Sequence, residues 1–164
     1  MSEGFAVWVT GPEPGRLEAV AGALAQHLLA RELPVEVLDH HTPGIEGLDA
    51  GGIAFAAAAL ARHGVASVIA LPATRGARDR ARAQVGRFIE VHVHGGDDEL
   101  AEGYEPPERA EVELVVGENA PGPSVARVLG TLEVLGLLAP EAGRGYSEAE
   151  ERAVIRRLKA FGYL

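Results

Sequence analysis

Short apolar runs alternate along this chain with segments whose apolar residues recur every three or four positions. Phe5 to Thr10 (FAVWVT) is a continuous apolar run closed by Gly11, the pattern of a strand buried on both faces. From Leu17 onward, Val20, Ala21, Leu24 and Leu28 fall on one face of a helix. Pro34 blocks continuation of that helix, and Val35 to Leu38 reads as a second strand. Ile53 to Arg62 predicts a helix stopped by Gly64, followed by a third strand over Val65 to Leu71. Arg75 to Val85 reads as a charged helix, Phe88 to Val93 as a fourth strand and Val112 to Val116 as a fifth. Pro123 to Leu135 places Val125, Val128, Leu129, Leu132 and Leu135 on one helical face, with Gly136 behind it.

Alternating strands and helices predict an α/β fold, a parallel sheet with helices on both faces. Ligands of such sheets sit beyond the carboxyl ends of the strands. The segments to inspect are therefore Gly11 to Arg16, Asp39 to Pro43, Pro72 to Arg75 and His94 to Gly103. After the glycine-containing stretch Glu141 to Gly145, Tyr146 to Leu164 reads as an amphipathic helix. Ser147 and Glu150 have the spacing of a capping box, and Ala153, Val154, Leu158 and Phe161 form an apolar stripe. The expected organisation is a domain over residues 1–140 and a linker plus C-terminal helix over 141–164. That helix either docks on its own domain or serves as a handle for a protein partner or a second subunit.

The length, 164 residues, suits one domain with a sizeable core. A formal net charge of −9 repels polyanions, which argues against nucleic acid as a partner. No apolar run is long enough to span a membrane, and no basic flank leads into an apolar signal segment at the N-terminus. Cysteine is absent, excluding disulfides and thiolate metal sites. A cytoplasmic location is the expectation.

Several fragments point together to one family. They are GFAVWVTG (Gly4 to Gly11), VEVLD (Val35 to Asp39), VIALPATRGARDRAR (Val68 to Arg82), FIEVHV (Phe88 to Val93), YEPP (Tyr104 to Pro107), VELVV and SVARVLGTLEVLGLL. In this order and spacing, over residues 4–138, the chain resembles the adenylylsulfate kinases. The resemblance implies a P-loop NTPase-type three-layer αβα fold with a five-stranded parallel sheet, often in a dimer. It also implies Mg-ATP-dependent phosphorylation of the ribose 3′-hydroxyl of adenylylsulfate.

The family's chemical motifs are altered here. A P-loop reads G-x-x-x-x-G-K-[ST]; its backbone N–H groups and lysine hold phosphates and its hydroxyl holds magnesium. Gly11 opens the loop, but Arg16, Leu17 and Glu18 take the places of the second glycine, the lysine and the hydroxyl residue. Shifting by one residue aligns Gly15 and Arg16 with Gly-Lys, which leaves Leu17 with no magnesium ligand to offer. Pro12 and Pro14 remove two backbone donors, and Glu13 and Glu18 add negative charge. Asp39 matches the first aspartate of the family's Asp-Gly-Asp motif, with His40 and His41 following it. The substrate-binding arginines fall on Gly51 and Gly52, and of Ser-Pro-Tyr-Arg only Arg75 remains. Arg75, Arg78 and Arg82 form either an anion site or a solvated helix face. The basic lid is replaced by the short acidic stretch Gly95 to Gly103.

His92 and His94 share one face of a strand, with only Asp97, Asp98 and Glu99 evident nearby as further ligands, so no metal site is expected. Five altered motifs on a sound scaffold predict a catalytically degenerate homologue without a cofactor, acting as a binding or regulatory module in sulfate metabolism. The alternative is a divergent adenylylsulfate or nucleotide kinase. It would hold Mg-ATP through Gly11, Gly15, Arg16 and Arg75, with Asp39 or His40 as base. A third reading keeps a nucleotide or sulfate site without turnover.

Overall fold

The computed structural model describes residues 3–95, 103–115, 122–141 and 148–163. Five strands form one parallel sheet: β1 (Ala6–Thr10), β2 (Val35–Leu38), β3 (Ala66–Ile69), β4 (Phe88–His94) and β5 (Val112–Val115), in the order β2-β3-β1-β4-β5. The helices are α1 (Pro14–Ala30), α2 (Ala50–Arg62), α3 (Arg75–Val85), α4 (Gly122–Val134) and α5 (Glu148–Ala160), with a 3-10 turn at Ile45–Gly47. Every residue of β1 is buried, as its continuous apolar run requires of a central strand.

Two cores lie on opposite faces of the sheet. On one, Leu17, Val20, Ala21, Leu24 and Leu28 of α1 meet Val125, Val128, Leu129 and Leu132 of α4 over Val7, Val9, Ile89 and Val91. On the other, Ile53, Ala54 and Ala57 of α2 and Ala81 of α3 cover Trp8, Ile69 and Phe88. Trp8 spends its indole N–H on the Leu71 carbonyl at 3.1 Å. Two helices begin earlier than their apolar patterns predict. α1 starts at Pro14 rather than Leu17, because proline suits the first helical turn, where its missing N–H costs nothing. α2 starts at Ala50 rather than Ile53, because the Asp49 carboxylate accepts the Gly52 N–H at 2.8 Å and caps the helix. At the end of α1, Glu32 adopts φ 62°, and the Glu32 and Leu33 N–H groups bond back to Leu29 and Leu28 in a Schellman turn.

The C-terminal helix docks on its own domain. Leu158 is fully buried, and Arg157 donates to the carbonyls of Ala110 and Glu111 at the entry to β5. Its Ser147 cap and the 142–147 linker lie outside the described residues. Among the described residues, no helix is long and apolar enough to cross a membrane.

Candidate functional site

The carboxyl ends of the strands gather the inspected residues along one edge of the sheet. Residues 11–13 are all that connect β1 to α1. Gly11 lies so close to β4 that an added Cβ would stand 2.1 Å from the Val93 carbonyl oxygen and 3.0 Å from Leu17 Cδ2. Leu17 is buried in the α1–α4 core. Glu13 is the N-terminal flanking residue of α1 and makes no side-chain cap; its carboxylate pairs with Arg16 at 3.4 Å. Gly15 sits inside the first turn of α1, with open space where a side chain would be.

Beside this turn, the β2 loop is tied locally. Asp39 accepts the His41 N–H at 2.9 Å, while its own N–H donates to Thr42 Oγ1 at 3.0 Å. His40 Nδ1 lies 2.6 Å from Glu18 Oε1 and His41 Nε2 3.8 Å from Glu18 Oε2, with the two imidazole rings 4.0 Å apart. The structure therefore brings Asp39, His40 and Glu18 to one corner, where the histidines remain largely exposed.

Within α3, Arg78 and Arg82 form neither an open anion site nor a solvated face, while Arg80 is exposed. Arg78 is fully buried; it donates to Glu90 Oε2 at 3.0 Å, to the Ala73 carbonyl at 2.7 Å and to the Glu105 carbonyl at 2.6 Å. Arg82 pairs with both Glu90 and the buried Glu111, and Glu111 also accepts the Glu90 backbone N–H at 2.8 Å. Burial opposes the Arg82 charge, but the Glu111 carboxylate outweighs it and carries the guanidinium upward. Burial likewise pushes the Glu90 carboxyl up, against the pull of Arg78 and Arg82. These side chains are joined because Arg78 and Arg82 lie one helical turn apart on the face that also buries Ala77 and Ala81. Arg75, at the mouth of α3, donates to the Pro106 carbonyl at 2.8 Å and pairs with Glu108 at 3.2 Å. The Tyr104–Pro107 segment is thus held by α3.

A second constellation lies at the end of β4. His92 and His94 stand on one face with ring centroids 4.8 Å apart, and Glu113 is the register partner of His92 on β5. His94 Nε2 and Glu113 Oε1 are 2.7 Å apart, and Arg157 reaches Glu113 Oε2 at 3.3 Å. Burial pushes the Glu113 carboxyl up, but the hydrogen bonds from His94 and Arg157 outweigh it and leave it below the usual range. Burial, reinforced by His94, lowers the His92 imidazole. Tyr104 lies nearly parallel to the His92 ring at 6.2 Å and accepts the Thr10 hydroxyl at 3.4 Å. Sequence reading found the histidine pair but not Glu113, whose approach depends on strand pairing and not on distance along the chain. Asp97, Asp98 and Glu99 lie outside the described residues.

No family model matches the chain. It is 37% identical over 103 residues to an adenylyl-sulfate kinase of Synechococcus sp. (strain JA-2-3B'a(2-13)), covering 55% of this chain and 59% of that protein. It is 30% identical over 169 aligned positions to a probable bifunctional SAT/APS kinase 2 of Sorangium cellulosum (strain So ce56), covering 81% of this chain and 29% of that one. The chain thus spans less than two thirds of these relatives. Among solved structures, a hexameric APS kinase from Thiobacillus denitrificans superposes with a TM-score of 0.70 at 25% identity, over 85% of this chain and 31% of that chain.

Proposed function

The chain belongs to the adenylyl-sulfate kinase family of P-loop kinases, and from that premise we propose that it is a catalytically degenerate member, a binding or regulatory module in sulfate metabolism. The observation that carries this reading is the β1–α1 turn. Leu17, in register with the phosphate-binding lysine, is packed in the core beside Gly11. A connection limited to residues 11–13, with prolines at 12 and 14, offers few backbone donors for wrapping a phosphate. The nearest guanidinium, Arg16, already faces Glu13, and Glu18 adds a further carboxylate. A magnesium–triphosphate does not fit these residues: the lysine and hydroxyl ligands are a core leucine and a glutamate.

Phosphoryl transfer depends on positioning and electrostatic stabilisation, so this edge lacks what the reaction needs. Arg75, Arg78 and Arg82 are spent on Glu108, Glu90 and Glu111, which supports the same reading. The module's partners in this proposal are a second copy of the chain or a protein that meets the exposed side of α5, where Glu151, Arg156 and Lys159 lie.

Isothermal titration calorimetry with Mg-ATP and with adenylylsulfate, each to millimolar concentration, tests the reading. The expected outcome is no saturable heat with either and no 3′-phosphorylated product. Saturable Mg-ATP binding that disappears in Arg16→Ala, accompanied by turnover, would replace it with a divergent kinase.

A further inference from the structure

We propose that His92, His94 and Glu113 form a binding site for a divalent late transition-metal ion, with zinc the natural probe. This goes beyond the proposed function and does not depend on it. The ligand atoms of the three side chains lie within 4.8 Å of one another. Two imidazoles and one carboxylate are a donor set that suits zinc and its first-row neighbours, with further positions left for water or an exogenous ligand.

The backbone supplies the arrangement. Residues two apart on a strand project from the same face, and a register partner on the adjacent parallel strand projects beside them. His92, His94 and Glu113 are therefore set by β4 and β5, elements that move little, and not by a loop. At metal–ligand distances of about 2.0–2.2 Å, tetrahedral ligands stand roughly 3.3–3.6 Å apart. The ion would replace the proton shared between His94 Nε2 and Glu113 Oε1, now 2.7 Å apart.

The surroundings match those of a metal site in two respects. Arg157 holds the second carboxylate oxygen of Glu113 at 3.3 Å, which orients the first, and Tyr104 stacks against His92. All three ligands are partly buried, so an ion can enter and is still shielded on one side. The other histidine cluster, Glu18 with His40 and His41, is a weaker candidate. Its histidine side chains are 59% and 70% exposed and ride on a loop after β2.

Chelator-stripped full chain is titrated with zinc against a chromophoric competitor, and cobalt is used as a spectroscopic substitute. The expected result is one zinc per chain and a tetrahedral cobalt absorption spectrum. His94→Asn and Glu113→Gln should each weaken zinc binding at least tenfold, whereas the double variant His40→Asn/His41→Asn should leave it unchanged. The His92 ring packs beside Tyr104 and its replacement risks misfolding, so His94 and Glu113 carry the test, with circular dichroism confirming their fold. No stoichiometric zinc, zinc binding indifferent to His94 and Glu113, or binding lost only with His40 and His41 would each overturn the proposal. Nucleotide plays no part in this readout, so its outcome is separate from that of the calorimetry above.

Discussion

Arg78 is a cation with no exposed surface, held by Glu90 and by the carbonyls of Ala73 and Glu105. Removing one member of a buried ion pair leaves the other charge desolvated, so Arg78→Ala should cost about 3–5 kcal/mol in urea unfolding. A double replacement by apolar residues of similar volume, Arg78→Met with Glu90→Leu, should recover much of that loss. If the double variant were no more stable than the single one, the cost would lie in the lost carbonyl contacts. Glu32 is a residue-scale liability of the opposite kind. It occupies the left-handed conformation that an L side chain resists, at a cost of roughly 1–2 kcal/mol. Glu32→Gly should therefore raise the unfolding free energy by about 1 kcal/mol, read as a higher urea midpoint with an unchanged slope. The Arg78 cluster was the hardest feature to read from sequence. Charged residues on a helix suggest solvent, and only their spacing with Ala77 and Ala81 signals burial.

At the scale of elements, the strands were the most legible, because β1 is a continuous apolar run up to Thr10 and β3 and β4 are rich in valine, isoleucine and phenylalanine. Helix starts were less so, since Pro14 and Asp49 act through cap geometry that an apolar stripe does not contain. The docking of α5 was open in the sequence, where its stripe fitted a partner as well as its own domain. The structure gives it an anchor, Leu158, and Leu158→Ala should loosen the helix by about 2–4 kcal/mol, read as lost hydrogen-exchange protection over 148–160. Tyr163, just beyond α5, tests the same docking by pH. Burial, then the Glu111 charge, push its phenol up to about 12 from 10. The folded chain holds this proton more tightly than the unfolded one. Its stabilising contribution is therefore complete below about pH 10, falls as the pH rises from 10 to about 12, and is absent above. An absorbance titration should show a late tyrosinate step that vanishes in Tyr163→Phe and moves towards ordinary values in Leu158→Ala.

Across the whole molecule, the order β2-β3-β1-β4-β5 decides which distant residues meet. It places Gly11, Asp39 and His92 along one edge, as the alternation of elements implied, but it also places Glu113 beside His92, which no local pattern foretold. Restoring two letters of the nucleotide motif, Leu17→Lys with Glu18→Ser, should destabilise the chain by burying a charge and should still yield no Mg-ATP heat in calorimetry, because the turn stays short. Gly11 carries a different message. The Val93 carbonyl stands where any Cβ would have to go, so a methyl group there is barred by the sheet itself. That steric bar holds whether or not a phosphate binds nearby. Packing alone is thus enough to require a glycine here, and its presence by itself says nothing about activity.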